Sequence, residues 1–205
     1  MSYSQFGEDD ILAKLLPATG HLIDVGAWEP IAMSNSRLLI ERGWDATLVE
    51  FSPHPLRNLV REYNGIPQVR VVSAAITPGP RHLERFRITD DAISSNDPNT
   101  ELRWKGLREN YDGGFFGDLW VPTLGVHQML EQFYGGETQI DFVNVDTEGS
   151  SVDVALAFMR EDGPWKPKVL CVEHDDKLVY LMEEAQKLGY RQHWVNGCNV
   201  ILERV

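Results

Sequence analysis

Cysteine is scarce: Cys171 and Cys198 are the only two in 205 residues. They stand too far apart for a disulfide framework or a metal knuckle. Both fall in apolar, strand-like runs, which predicts reduced and buried thiols. Long hydrophobic runs are missing too; none approaches the roughly 20 apolar residues of a membrane span. The opening MSYSQFGEDD lacks the basic-then-apolar order of a secretory signal. A soluble, cytoplasmic protein is expected. Positive charge is short: 19 Lys and Arg face 31 Asp and Glu, for a net charge of −12. Nucleic acid and anionic membrane are therefore excluded as expected partners, because phosphate contacts demand a basic footprint. A small, weakly charged or cationic molecule is the better partner. At 42% hydrophobic residues the chain can build the core of one domain over residues 1–205, and no second domain is needed.

Also absent is the dinucleotide fingerprint G-x-G-x-x-G, which places a pyrophosphate over a helix N-terminus. The stretch HLIDVGAWEP, residues 21–30, carries instead a lone Gly26 after Asp24 and before Ala27, Trp28 and Glu29. Three apolar residues, an acid and a glycine turn read as the first strand and turn of a nucleotide-binding α/β sheet. A side chain at position 26 would fill space that a ligand uses. One glycine among acids suits a ligand with hydroxyls and an amine better than one with two phosphates, and S-adenosylmethionine is such a ligand.

Strand and helix patterns alternate from here. Ile11, Leu12, Leu15 and Leu16 share a helical face that Pro17 ends. Strands are predicted over residues 21–25, 46–49 and 69–72, the last continuing through 73–76. A helix at 35–42 ends at Gly43, and another opens at Ser52-Pro53. This rhythm argues a parallel, doubly wound sheet. Residues 77–120 lose it, apart from one extra strand at 82–88. Residues 89–117 read as a lid or substrate wall, with a helical turn near 102–107; the alternative is a surface excursion without a role. Order returns with a short strand at 120–123, a helix at 125–134 and strands at 140–145 and 169–172. Asp175 and Asp176 are expected to cap the helix that follows. Two final strands flank Asn196-Gly197, a strong hairpin signal. The expected fold is α/β and Rossmann-like, a mostly parallel seven-stranded sheet with a C-terminal antiparallel hairpin and helices on both faces.

In such sheets ligands sit beyond the carboxyl ends of the strands. The sequence brings there Asp24, Gly26 and Ala27, then Glu50 with Phe51 and Ser52, then Ala75 and Ile76, then Asp146 and Glu148, then Glu173 and His174. Glu50, closing the second strand, suits the two ribose hydroxyls of an adenosine; otherwise it is an ordinary capping acid. Gln5 and Glu8 open a helix that can fold back over the amino-acid end of the cofactor, and Asn35 at a helix start can meet its carboxylate. Plain capping is the alternative for all three. His174 is the candidate base, with a pKa suited to neutral pH; the alternative is a helix cap. Asp146 either orients the acceptor or binds the cofactor amine. Asp146, Glu148, Glu173 and His174 also form an oxygen-rich set of the kind Mg2+ accepts. His54, His82, His127 and His193 lack partners at ligand spacing. Trp104, Trp120, Tyr111, Phe115 and Phe116 are candidates for lining an acceptor pocket, and Trp44, Trp165 and Trp194 for packing.

Taken in order, Ser4-Gln5-Phe6-Gly7-Glu8-Asp9, Asp24-Val25-Gly26-Ala27, Ser34-Asn35-Ser36, Gly43-Trp44 with Glu50 and Pro53, and Ile140-Asp141-Phe142 with Asp146-Thr147-Glu148-Gly149 resemble the motif series of the FkbM-type S-adenosylmethionine-dependent methyltransferases. The resemblance implies a class I fold and methyl transfer to a hydroxyl oxygen. It also implies cofactor contacts at the first turn, at the acid after the second strand and at Asp146. Thr147 stands where the family more often has an apolar residue, and Ser150-Ser151-Val152 replaces its usual Ala-Glu. The expected reaction is O-methylation of a small sugar-like or natural-product acceptor. Two rivals remain: a cofactor- or nucleotide-binding module without turnover, and an NAD-dependent oxidoreductase.

Overall fold

The computed structural model describes residues 2–80, 82–89, 94–96 and 117–205. Helix α1 (Glu8–Leu15) precedes β1 (His21–Val25), and α2 (Arg37–Glu41), β2 (Asp45–Val49), α3 (Pro53–Glu62) and β3 (Val69–Val72) follow. Next come β4 (Ala75–Thr77), β5 (Leu83–Ile88), β6 (Gly117–Gly125), α4 (Val126–Tyr134) and β7 (Phe142–Val145). The chain closes with α5 (Ser151–Met159), β8 (Val169–Glu173), α6 (Leu178–Lys187), β9 (Tyr190–Val195) and β10 (Asn199–Arg204).

Seven strands form one sheet in the order β3-β2-β1-β7-β8-β10-β9. The five from β3 to β8 are parallel, and β10 runs antiparallel to both β8 and β9. Alternation along the strands sorts the core into two layers. Ile23, Val25, Val143, Val145, Leu170 and Val172 pack with Met129 and Leu130 of α4, Leu156 of α5 and Leu181 of α6. Leu22, Leu48, Phe142 and Cys171 face the other way, onto Leu12 of α1, Leu39 of α2 and Leu59 of α3. Helices thus cover both faces, and Trp44 is fully buried among the second set. The order reverses at β1, with β2 on one side and β7 on the other, which opens a crevice at their carboxyl ends.

Several expectations need correction. Residues 73–76 do not prolong β3: the chain leaves the main sheet, and Ala75–Thr77 pairs in parallel with Thr123–Gly125 of β6. With β5 antiparallel on the other side of β6, this makes a separate three-stranded sheet. The strand expected over 120–123 extends over nine residues, because β5 pairs with it from Gly117 onward. Asp175 and Asp176 occupy left-handed backbone (φ 48° and 59°) before α6, whose N-cap is Lys177. The last hairpin turns at Gly197-Cys198, one residue later than Asn196-Gly197: Asn196 N–H donates to Asn199 O at 2.9 Å. The Asn196 side chain sets that register by accepting from Cys198 N–H and Asn199 N–H at 2.8 and 2.6 Å. Cys198 is consequently exposed, while Cys171 is buried as expected.

Candidate functional site

A cavity of about 490 Å³ lies at the crevice. Its floor is acidic because four neighbouring strands, β2, β1, β7 and β8, each deliver a carboxylate at or near their carboxyl ends: Glu50, Asp24, Asp146 and Glu173. Glu148 and Asp153 also line it, and no Lys, Arg or His does among the described residues. Of the anticipated residues, Gln5, Asp24, Gly26, Ala27, Asn35, Glu50, Phe51, Ser52, Ala75, Ile76, Asp146, Glu148 and Glu173 all border this one space.

Glu50 is held by the turn that follows β1 as well as by its own. Oε2 accepts from Trp28 N–H at 3.0 Å, and Oε1 accepts from Phe51 and Ser52 N–H, both at 2.7 Å. Burial raises its pKa, and these backbone donors oppose the rise. Asp24 is likewise raised by burial, against hydrogen bonds from Ser36 and Asn144. Asn144 Nδ2 donates to Asp24 Oδ1 at 2.8 Å, and Asn35 Nδ2 donates to Asn144 Oδ1 at 3.0 Å. Asn35, at the cavity wall, has its Oδ1 buried without a hydrogen-bond partner among the described residues. Such an acceptor calls for an N–H or O–H donor.

Gly26 is required for a reason other than the one expected. It adopts φ +80°, and a Cβ there would collide with the carbonyl oxygen of Asp146. The glycine lets the tips of β1 and β7 meet, where Asp146 N–H donates to Val25 O at 2.9 Å. Backbone proximity, more than ligand proximity, excludes a side chain.

Asp146 and Glu173 form a hydrogen-bonded carboxyl pair. Burial, joined by the charges of Asp24, Asp175 and Glu50, pushes Asp146 up to about 6, while the bond to Glu173 restrains it. Glu173 is raised well above the ordinary carboxylate value, by burial and by the charges of Asp146, Glu148 and Asp175. Both members are raised, so the pair as a unit holds a proton more readily than two ordinary carboxylates would. Oxygens of Asp146, Glu148 and Glu173 all lie within 4.8 Å of one another, so these three can hold a cation.

Two of the anticipated cofactor and catalytic residues do not reach the cavity. His174 is buried beneath the hairpin turn, with Nε2 3.3 Å from Asn196 O, and is neither among the lining residues nor in the acidic group. Its place directly after β8 tucks the ring under β10, whose turn accepts the His174 N–H through Cys198 O. Glu8 is fully buried and bonds to the same turn. The pocket roles considered for Trp104, Tyr111, Phe115 and Phe116, and the helical turn near 102–107, lie outside the described residues. Trp120 is 62% exposed and does not line the cavity. Within 89–117, Ser94 and Asn96 do line it, and Ser95 Oγ donates to Glu148 O at 2.6 Å. Asn144 escaped notice, though it stands in β7 two residues before Asp146, the spacing that brings side chains to one side of an extended chain. Cys198 and Asn199 carried no signal, since the turn that brings them to the wall depends on side-chain bonds.

The strand order, the reversed strand β10 and the acid-lined crevice define a class I methyltransferase fold. Among solved structures the chain is similar to precorrin-6y C5,15-methyltransferase from Geobacter metallireducens GS-15, with 13% identity and a TM-score of 0.50 over 97% of this chain and 86% of that one. No protein-family model and no curated protein sequence matches the chain.

Proposed function

We propose that the protein is a methyltransferase of the FkbM type that uses S-adenosylmethionine to methylate a hydroxyl of a small sugar-like or natural-product acceptor, neutral or cationic. The observation that carries this reading is the row of carboxylates on four adjacent strands around one cavity without a described cation. The residues fit the cofactor. A cavity of about 490 Å³ falls within the range of small-molecule sites, and an acidic floor complements a ligand bearing a sulfonium and an ammonium. A dinucleotide would bring two phosphate charges against the same acids. Glu50 suits the ribose hydroxyls, with Phe51, Ser52, Ala75 and Ile76 around the adenosine. Asp24, Gln5 and the unsatisfied Asn35 oxygen suit the amino-acid end.

When bound, S-adenosylmethionine supplies a methyl group already activated on sulfur. The chain then has to orient the acceptor and take its proton. Asp146 is the proton acceptor in this reading: a carboxylate with a pKa near 6 is ionised at neutral pH yet more basic than an ordinary aspartate. Glu173, hydrogen-bonded to Asp146, steadies it. Ser94, Asn96, Thr147 and Ser150 offer hydroxyl and amide groups to a polyol. His174 does not line the cavity, and this reading gives the base role to Asp146 instead. A second reading, favoured by the closeness of Asp146, Glu148 and Glu173, puts a divalent cation such as Mg2+ where the shared proton sits.

Calorimetry with S-adenosylhomocysteine and with NAD tests the cofactor, and labelled methyl transfer to neutral sugars, amino sugars and sugar phosphates tests the acceptor. Binding of the adenosyl ligand alone, with transfer to the first two acceptor classes, is expected. Binding without turnover favours the non-catalytic module, and NAD binding overturns the reading.

A further inference from the structure

Glu8 has 0% exposure and no basic partner among the described residues. Its carboxylate instead joins two pieces of chain from opposite ends of the sequence. Oε2 accepts from Phe6 N–H at 2.9 Å. Oε1 accepts from Asn199 Nδ2 at 2.8 Å and from Asn196 Nδ2 at 3.3 Å. Both partners bear on the cavity wall. The strap before α1 carries Gln5, and the turn between β9 and β10 carries Cys198 and Asn199, all three of which line the cavity. The strap reverses at Gly7 (φ +84°) to enter α1. Its other ties run from the Ser2 and Ser4 hydroxyls and the Tyr3 N–H to Asp9, and from the Tyr3 hydroxyl to Glu41 of α2, so they hold the strap to the helices and not to the β9–β10 turn. Asn196 uses its other side-chain atom to shape the turn, so one carboxylate fixes the strap and the turn together.

We propose that Glu8 is a positioning residue, which never touches the ligand but clamps the strap and the β9–β10 turn into a single wall of the cavity. Ligand affinity then depends on a bond that lies behind that wall. The clamp follows from geometry alone; its effect on an adenosyl ligand rests on the function proposed above. An ordinary helix-start acid would only favour α1 through the helix dipole, and its loss would lower stability without moving the wall.

The test uses the full chain as wild type, Glu8→Gln, Asn199→Asp and the Glu8→Gln/Asn199→Asp double variant. Three quantities are read: the thermal midpoint, the rate of Cys198 alkylation by iodoacetamide with buried Cys171 as internal control, and the affinity for S-adenosylhomocysteine. Each single variant should speed alkylation several-fold. Each should also weaken binding roughly tenfold, the scale expected for losing a hydrogen bond to a charged group. In the double variant an amide at position 8 can donate to a carboxylate at position 199, so both readouts should return to within about threefold of wild type on the same scale. Asn199→Ser replaces Asn199→Asp if the latter does not fold. Unchanged alkylation in folded single variants, or absent rescue, overturns the clamp. Faster alkylation with unchanged affinity overturns its link to the ligand. If wild type binds no adenosyl ligand, the proposed function fails, while the alkylation rates still decide the clamp.

Discussion

Replacing Gly26 by alanine separates two reasons for a glycine at the turn after β1. The structure makes the reason a backbone one: φ is +80°, and the new Cβ would meet the carbonyl of Asp146, whose own N–H bonds to Val25 O. Left-handed backbone costs a non-glycine residue about 1–2 kcal/mol, and crowding a packed site costs about 1–3 kcal/mol. Relief by moving Asp146 would loosen the Val25 bond, about 1 kcal/mol more. Together, Gly26→Ala should lose about 3–6 kcal/mol, a large part of the stability of a typical domain. At about 2–4 °C per kcal/mol for a chain of this size, the melting midpoint should fall by about 6–24 °C. Urea unfolding of wild type and variant at one pH measures the loss, and the m-value shows whether two-state unfolding holds. A variant within about 1 kcal/mol of wild type that has nevertheless lost the adenosyl ligand would refute this reasoning and return Gly26 to a ligand-clearance role.

The carboxyl pair makes two pH predictions of opposite sense. Asp146 has a folded pKa near 6 against an ordinary value of 3.8, so the folded state holds extra proton between them. The stability this confers is full below the ordinary value and is lost as pH rises through 6, and Asp146→Asn should remove that part of the pH slope in chemical unfolding. Methyl transfer should instead rise with pH through about 6 as Asp146 ionises, and Asp146→Asn should lower the rate by at least about tenfold and flatten that limb. Under the shared-proton reading, the thermal midpoint should not respond to EDTA or millimolar Mg2+; a rise with Mg2+, accompanied by proton release, would favour the cation. Glu50→Gln leaves one of three backbone donors facing an N–H group, so calorimetry should show adenosyl affinity weakened by roughly tenfold or more.

Much of the fold was legible because its signals are repetitive and local. Alternating apolar runs marked the parallel strands, and the acids at or near the carboxyl ends of β1, β2, β7 and β8 announced themselves by position. The elements misjudged were those whose partners lie far away. Ala75–Thr77 is too short for periodicity to show, and it becomes a strand because β6 runs beside it. The hairpin was visible at Asn196-Gly197, but its turn is shifted by the Asn196 side chain, and that shift buries His174 and exposes Cys198. Gly26 stood out in the sequence as a close-approach glycine, yet the approach it permits is that of the Asp146 backbone at the tip of β7. Glu8 looked like a residue for the ligand, and only the opposite end of the chain reveals its partners.

The three-stranded sheet has a consequence for how such a protein can diversify. β5 and β6 join the body through the short pairing with β4, and the residues beside them, Phe86, Ser94 and Asn96, supply a side of the cavity to which none of the four acid-bearing strands contributes. Under the function proposed above, Ser94 and Asn96 would meet the acceptor from a part of the chain separate from the four acid-bearing strands. Changes there would then retune acceptor choice while the carboxylates gripping the donor stayed constant.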